Sequence, residues 1–233
     1  MTGKKNIVLF GYGNFARHLY KNLATSGHKI KVINTLEESA TAFEDEDVDI
    51  TLINIKKNED VLSLGINPET DLLYCAMSKT ANNLFLVLTL KALYPNADII
   101  AISNSYENTR KLKYAGAGSV IDLYEATSRR VVNMFTRPAV TKALDEIIYN
   151  QNNIKMAEIE LPQNSFLEGV SVSEIDFKAI GIILIAIIDK ELGQELIFID
   201  HRIDHKLDAG DTLVVVGLID KLQDFKDKLE LEE

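Results

Sequence analysis

Between residues 6 and 123 short apolar runs alternate regularly with segments of helical pattern, and this alternation restricts the fold more than any other property of the chain. The runs lie at residues 6–10, 28–33, 50–55, 72–77, 98–102 and 119–123, and most are rich in Ile, Val and Leu. Helical patterns separate them: one from Gly13 onward with Phe15, Leu19 and Leu23 at four-residue spacing, a short one ending at Gly65, and others at 81–93 and 106–115. Gly27 stands where a helix C-cap is expected, and Pro95 stops the helix before it. Continuous apolar strands joined by helices predict a parallel sheet covered on both faces, with right-handed crossovers. The expected fold is therefore α/β, a Rossmann-like doubly wound sheet over about residues 5–123.

Ligands of such sheets lie beyond the C-terminal strand ends, where the strand order reverses. That rule singles out Gly11, Tyr12, Gly13, Asn14, Phe15, residues 34–36, Asn54, Met77, Ser78, Ser103 and Asn104. The first group has the GxGxxA form, with Gly11, Gly13 and Ala16. In a phosphate-binding turn the first glycine allows the bend, the second lets the backbone approach the phosphate, and the third small residue lets helix pack on strand. The amides and dipole of the helix N-terminus then favour an anion without a basic side chain. An acid about twenty residues further on ordinarily holds the adenosine ribose. Here that position is Asn34, an uncharged acceptor that either holds the ribose weakly or caps the next turn.

The second part of the chain changes character. Residues 1–150 carry 17 Lys/Arg and 17 Asp/Glu, whereas residues 151–233 carry 8 and 18, so the whole net charge of −10 falls in the last 83 residues. After Arg137-Pro138 a helix is expected at 139–149, then a polar linker at 150–153. Strands at 155–161, 180–188, 195–199 and 212–217 and a helix at 219–229 make a small α+β lobe. The expected organisation is an N-terminal lobe, 1–136, a crossover helix with linker, 137–153, and a C-terminal lobe, 154–233. The longest apolar run, residues 180–188, is too short to cross a bilayer, and no signal peptide is read at the start. One cysteine, Cys75, fits a reducing compartment, and the acidic balance argues against nucleic acid as a partner.

Several motifs in order resemble the RCK regulatory domains of potassium channels and potassium-uptake systems, also called TrkA-N and TrkA-C. In the first half these are GYGNFA, Val61-Leu-Ser-Leu-Gly-Ile66, and the stretch from Tyr106 through Lys111-Leu-Lys-Tyr-Ala-Gly-Ala117 to Ser119-Val-Ile121. In the second half they are Ser165-Phe-Leu-Glu-Gly-Val170 and Leu207-Asp-Ala-Gly-Asp-Thr-Leu-Val-Val-Val-Gly217. The KLKYAGA segment and the helix after Arg137-Pro138 look closer to the channel branch than to the transporter branch. The resemblance implies a ligand-sensing gate at the cytoplasmic face of the cell membrane. N-terminal lobes would pair through the helix at 139–149, homodimers would form a ring, commonly of eight, and the ring would act on a potassium channel or transporter membrane subunit. A chain beginning Met1-Thr-Gly-Lys4 without a membrane segment reads either as a channel's cytoplasmic part or as a separate regulatory subunit.

The resemblance also implies an adenine nucleotide, NAD, ADP or ATP, with Gly11 to Phe15 on its phosphates, Asn34 on its ribose and Asn54 near its base. Nucleotide-holding members usually carry acids at the positions of Asn34 and Asn54. The calcium-gated branch places carboxylates at positions matching Cys75, Ile102 and Asn104, so calcium at that site is not expected here. A ligand-insensitive structural ring is the alternative reading; a nicotinamide-dependent oxidoreductase is a further one, without a recognisable acid–base pair. Elsewhere, the run from Asp200 to His205 reads as a polar loop or a metal cluster. Cys75 reads as a core residue or a redox sensor, Arg129 and Arg130 as a solvated helix start or as partners for a neighbouring subunit's anionic ligand, and the acidic run 44–47 as a solvated turn.

Overall fold

The computed structural model describes residues 6–38, 48–148, 153–193, 195–199 and 205–230. It forms two compact units, Thr2–Val132 and Asn133–Glu233. The acidic run at 44–47, residues 150–152 of the expected linker and residues 200–204 lie outside the described residues.

Six parallel strands make the first unit: β1 (Asn6–Phe10), β2 (Lys29–Thr35), β3 (Ile50–Ile53), β4 (Asp71–Cys75), β5 (Asp98–Ser103) and β6 (Ser119–Asp122), in the order β3-β2-β1-β4-β5-β6. The expected α/β sheet is present, and its order reverses between β1 and β4. Four consecutive residues of β1 are buried because both faces are covered. Val8 and Phe10 enter the large core on one face, and Leu9 meets Ala16 and Ala76 on the other. Helix α1 (Asn14–Thr25) packs Ala16, Phe15 and Leu19 there, then ends before Gly27, whose φ of 75° is the left-handed closure that glycine permits. A short helix, α2 (Asn58–Leu62), follows β3. Helix α3 (Thr80–Leu93) is the centre of the core: Leu86, Val87 and Leu90 are fully buried against Leu73, Cys75 and Ile99. Each such side chain stabilises the fold by about 1.5–3 kcal/mol. Helix α4 (Tyr106–Tyr114) starts on Ser105, whose hydroxyl accepts from the Asn108 amide.

Element ends differ from the sequence expectation for local reasons. β2 runs on to Thr35 because that residue still pairs with Ile53. β3 stops at Ile53, since Asn54 turns the chain: its carbonyl accepts from the Lys57 amide and its side-chain oxygen from Lys56. A helix read from sequence only as a start at Arg129 and Arg130 begins earlier: α5 (Leu123–Thr136) follows β6 directly, capped by Asp122 through the amides of Tyr124 and Glu125.

In the second unit α6 (Pro138–Ile148) leads to β7 (Ile154–Glu160), α7 (Phe177–Ile180), β8 (Ile182–Ile188), β9 (Leu196–Phe198), β10 (Thr212–Leu218) and α8 (Ile219–Glu230). The sheet is antiparallel in the order β7-β10-β8-β9, so the last strand inserts between the first two. The apolar run 180–188 is not one strand. Ile180 ends α7, which Asp176 caps through the Ala179 amide, and Gly181 at φ 85° separates it from β8. Ile159, Ile187, Leu213, Val215 and Phe225 form the core of this lobe.

Candidate functional site

The strand-order reversal places the glycine turn at the C-terminal edge of the first sheet. Gly11 is clamped from both sides: its amide donates to Ile33 at the end of β2, and the Ala76 amide after β4 donates to Phe10. Its φ is +101°, and a Cβ there would lie 2.4 Å from the Ala76 carbonyl oxygen, so only glycine fits. Gly13 is the N-cap of α1 and supplies no side-chain cap; no acid stands in the first turn. The first intrahelical bond runs from Arg17 to Gly13, which leaves the amides of Asn14, Phe15 and Ala16 without a helical carbonyl. Asn14 does not cap them, because its side-chain oxygen accepts from Arg17. Tyr12, by contrast, is buried and stacks edge-on against Tyr20 at 6.0 Å, so it belongs to the core and can offer a ligand only its backbone.

Asn34 is 1% exposed at the end of β2. Its oxygen accepts from the Thr35 amide at 2.9 Å, an assignment fixed by the donor it faces. Its Nδ2 is therefore the free group, buried without a partner among the described residues, as is the Thr35 hydroxyl. An unpaired buried donor of this kind costs about 1–3 kcal/mol until something accepts from it. The Asn34 oxygen is thus engaged by the Thr35 amide, and the side chain keeps a donor to give.

Two hollows flank the turn. One, of about 280 Å³, is lined by Gly13, Asn14, Phe15, Met77, Ser78 and Asn104 among others, on the β1, β4 and β5 side. The second, of about 240 Å³, is lined by Thr35, Glu37, Asn54, Lys56 and Asn82 among others, beyond β2 and β3. Asn54 is held as a turn, with its amide on Asp60 at 2.9 Å. Met77 is locked by Asn83, whose amide accepts from the Met77 N–H and donates to the carbonyls of Met77 and Ile102. Asn104 accepts from the Thr80 hydroxyl and the Asn108 amide group. The expected site residues therefore gather at one sheet edge, except for the Tyr12 side chain.

Sequence reasoning missed Asn83, Asn82 and Glu38. Asn82-Asn83 stands out as a polar pair at the start of an apolar helix, a signal that could have been read. Glu38 lies only three residues beyond β2 but reaches the β4–α3 connection. Its carboxylate accepts from the Ser78 amide at 2.8 Å, the Lys79 amide at 3.3 Å and the Asn82 side chain at 2.8 Å.

Other candidate groups resolve locally. Arg129 pairs with Glu125 one turn away on α5. Cys75 is fully buried, and burial pushes its thiol up, which suits a core residue and not a reactive one. His205 lies against Asp211 at 3.1 Å, while residues 200–204 of the same run fall outside the described residues. Among the described residues no cluster of metal-ligating side chains occurs and no helix is long and apolar enough to cross a membrane.

Residues 7–123 match the TrkA-N domain and residues 156–230 the TrkA-C domain. Probable potassium channel protein 2 of Methanocaldococcus jannaschii is 27% identical over 164 residues, covering 69% of this chain and 47% of that protein. The chain thus spans about half the length of this relative. Among solved structures, the GsuK channel bound to NAD superposes with a TM-score of 0.50 at 16% identity, covering 98% of this chain and 39% of that one. GsuK bound to ADP gives 0.51 at 18% identity, over 59% and 35%. The human SLO3 gating ring gives 0.60 at 15% identity, over 94% and 46%. At these identities the structural likeness is one of fold, whereas the two domain matches, in order along the chain, carry the assignment: the chain belongs to the TrkA-N/TrkA-C family of RCK domains linked to potassium channels.

Proposed function

We propose that the chain is a ligand-sensing gating-ring domain that regulates potassium conductance from the cytoplasmic face of the membrane, through a pore that is attached or separate. The ligand is an adenine nucleotide. Its phosphates rest on the free amides of Asn14 and Phe15, its ribose accepts a hydrogen bond from Asn34 Nδ2, and its base lies in the hollow near Asn54. The observation that carries this reading is the uncapped N-terminus of α1 beside a buried, unpartnered amide on Asn34. An anion and a ribose oxygen satisfy both at once. GsuK, of the same fold, is solved with NAD and with ADP, which supports the ligand class. Among the described residues the hollow on the β1, β4 and β5 side is lined by no titratable side chain, and in the second hollow Glu37 and Lys56 pair with each other, which favours a binding module over an enzyme.

Ligand can bias a gate only through different affinities for two ring shapes, so the domain must self-associate. Helix α5 has no buried residue, and Val131, Val132, Met134 and Phe135 are exposed; on α6 Val140, Leu144 and Ile148 are exposed as well. Such faces suit pairing into a homodimer and then a ring of eight.

Thermal unfolding with AMP, ADP, ATP, NAD, NADH and divalent ions tests the reading. At a hundred times the dissociation constant a ligand adds about 2.7 kcal/mol, an upward shift of roughly 5–10 °C for a chain of this size. Gly13→Asp, which places a carboxylate among the amides, is expected to abolish the shift. A nucleotide shift that survives Gly13→Asp would move the site elsewhere, and no shift with any ligand would favour a structural ring without a sensor.

A further inference from the structure

The amides of Ser78 and Lys79 open α3 and already hold an anion, the carboxylate of Glu38. Glu38 is only 8% exposed, and Asn82 donates a third hydrogen bond to it. A buried carboxylate with at least three donors among the described residues is a built anion seat, occupied by the chain itself. Its position matters more than its strength. Glu38 leaves the end of β2, and its seat is at the end of β4; β1 lies between these strands. The link therefore passes across the C-terminal end of β1, where the glycine turn lies. Ser78 lines one hollow and Asn82 the other, so the carboxylate stands at the boundary between them.

The two anion seats are neighbours. A Cβ on Gly13 would lie 2.5 Å from the Ser78 hydroxyl, which puts the uncapped amides of α1 next to the amides that Glu38 occupies. With Glu38 in place, a phosphate on α1 meets a negative charge beside it. With Glu38 displaced, the Ser78 and Lys79 amides need another acceptor, since leaving them bare in a closed site is unfavourable. A ligand with one phosphate cannot serve both seats. Two phosphates joined through one bridging oxygen can.

Resting on the nucleotide reading above, we propose that Glu38 is a tethered stand-in for a ligand phosphate and that it sets the specificity of the crevice for diphosphates, a nucleoside diphosphate or the pyrophosphate of a dinucleotide, over monophosphates. The diphosphate takes one seat on α1 and the other on α3, and Glu38 leaves as it arrives. Binding then releases Glu38 from the amides of Ser78 and Lys79, which couples occupancy of the crevice to the position of residue 38.

Titration calorimetry on the full chain tests this with ADP, AMP and inorganic pyrophosphate. Glu38→Gln keeps the shape but removes the charge that competes, and ADP and pyrophosphate are expected to tighten about tenfold, the weight of one charge-assisted hydrogen bond. AMP is expected to change far less. Asn82→Ala loosens Glu38 from the helix side without altering it, and pyrophosphate, which has no base to contact Asn82, is expected to tighten here too. This second variant also covers a Glu38→Gln protein that fails to fold. Unchanged affinity for ADP and pyrophosphate in both variants overturns the proposal, as does an equal gain for AMP. If ADP binding is lost in Gly13→Asp but indifferent to Glu38, the nucleotide reading stands and the stand-in falls. If pyrophosphate tightens while no adenine nucleotide binds, the reverse holds. Binding of neither overturns both.

Discussion

Gly11 and Asn83 show how single residues build the crevice. At Gly11 a side chain would need a left-handed backbone and would strike the main chain of Ala76, so neither neighbour can move aside. Gly11→Ala is expected to cost about 3 kcal/mol or more, read as a lower urea midpoint at unchanged slope. Gly65, at φ +65° with no atom within 4 Å of where a Cβ would stand, serves as the control: Gly65→Ala should cost only the backbone term of about 1–2 kcal/mol. Asn83 is buried and bonds three backbone groups, two on Met77 after β4 and one on Ile102 in β5, so Asn83→Ala leaves a donor and acceptors unpaired and is expected to cost about 2–4 kcal/mol. In the second lobe Asp211 has the same kind of role with a charge. Burial by itself would raise its pKa, but the amide of Asp208, the His205 ring and the amide of Lys190 outweigh it and leave the carboxyl below its ordinary value. A lowered folded-state pKa means that the charged form stabilises the fold. That stability is full above the ordinary carboxylate range near pH 4 and is lost as the pH falls through the lower folded value. Acid unfolding followed by circular dichroism should therefore begin later in Asp211→Asn than its lower starting stability suggests, because the variant has lost this proton-linked step.

At the scale of elements, what the sequence made legible follows from burial. Strands β1 to β6 and helices α1, α3 and α4 carry apolar residues that fold inward within the chain, and their periodicity announces them. The extent of helix α5 was hidden for the opposite reason: none of its residues is buried, so its apolar side chains make no inward stripe to recognise. Only Asp122, as a cap after a strand, marks its start. The site divides in the same way. Gly11, Gly13 and Ala16 were readable because each answers a local demand of turn or packing, whereas Glu38 acts across forty residues of chain on Ser78, which no spacing rule anticipates. An element with an uncovered apolar face is also where association can be tested. Phe135 on α5 is 83% exposed and Leu144 on α6 is half exposed. Phe135→Glu and Leu144→Glu change an exposed and a half-exposed position, so the fold should largely persist while light scattering at micromolar concentration reports loss of the proposed dimer. A wild-type monomer under those conditions would count directly against the gating ring.

For the whole molecule the decisive quantity is the charge that each copy brings to an assembly. The net charge is −10, and residues 151–233 hold all of it, while residues 1–150 are balanced at 17 of each sign. The proposed association through the apolar faces of α5 and α6 would therefore proceed against mutual repulsion of like-charged copies. Salt weakens the repulsion but not the apolar contact: raising ionic strength from about 0.01 M to about 1 M shortens the screening length from about 30 Å to about 3 Å. Sedimentation velocity is thus expected to show tighter self-association as salt rises, against the usual direction for charge-paired interfaces. Bringing the pH toward the isoelectric point near 5.0 should act in the same sense as salt, because it removes the net charge itself. The two variables together separate causes. Tightening with both identifies repulsion opposing an apolar interface, and the effect should end only where acid begins to unload Asp211 and the second lobe loses stability. Weakening with salt would mean that the copies meet through complementary charges instead, and the ring would have to be built on surfaces other than these helices.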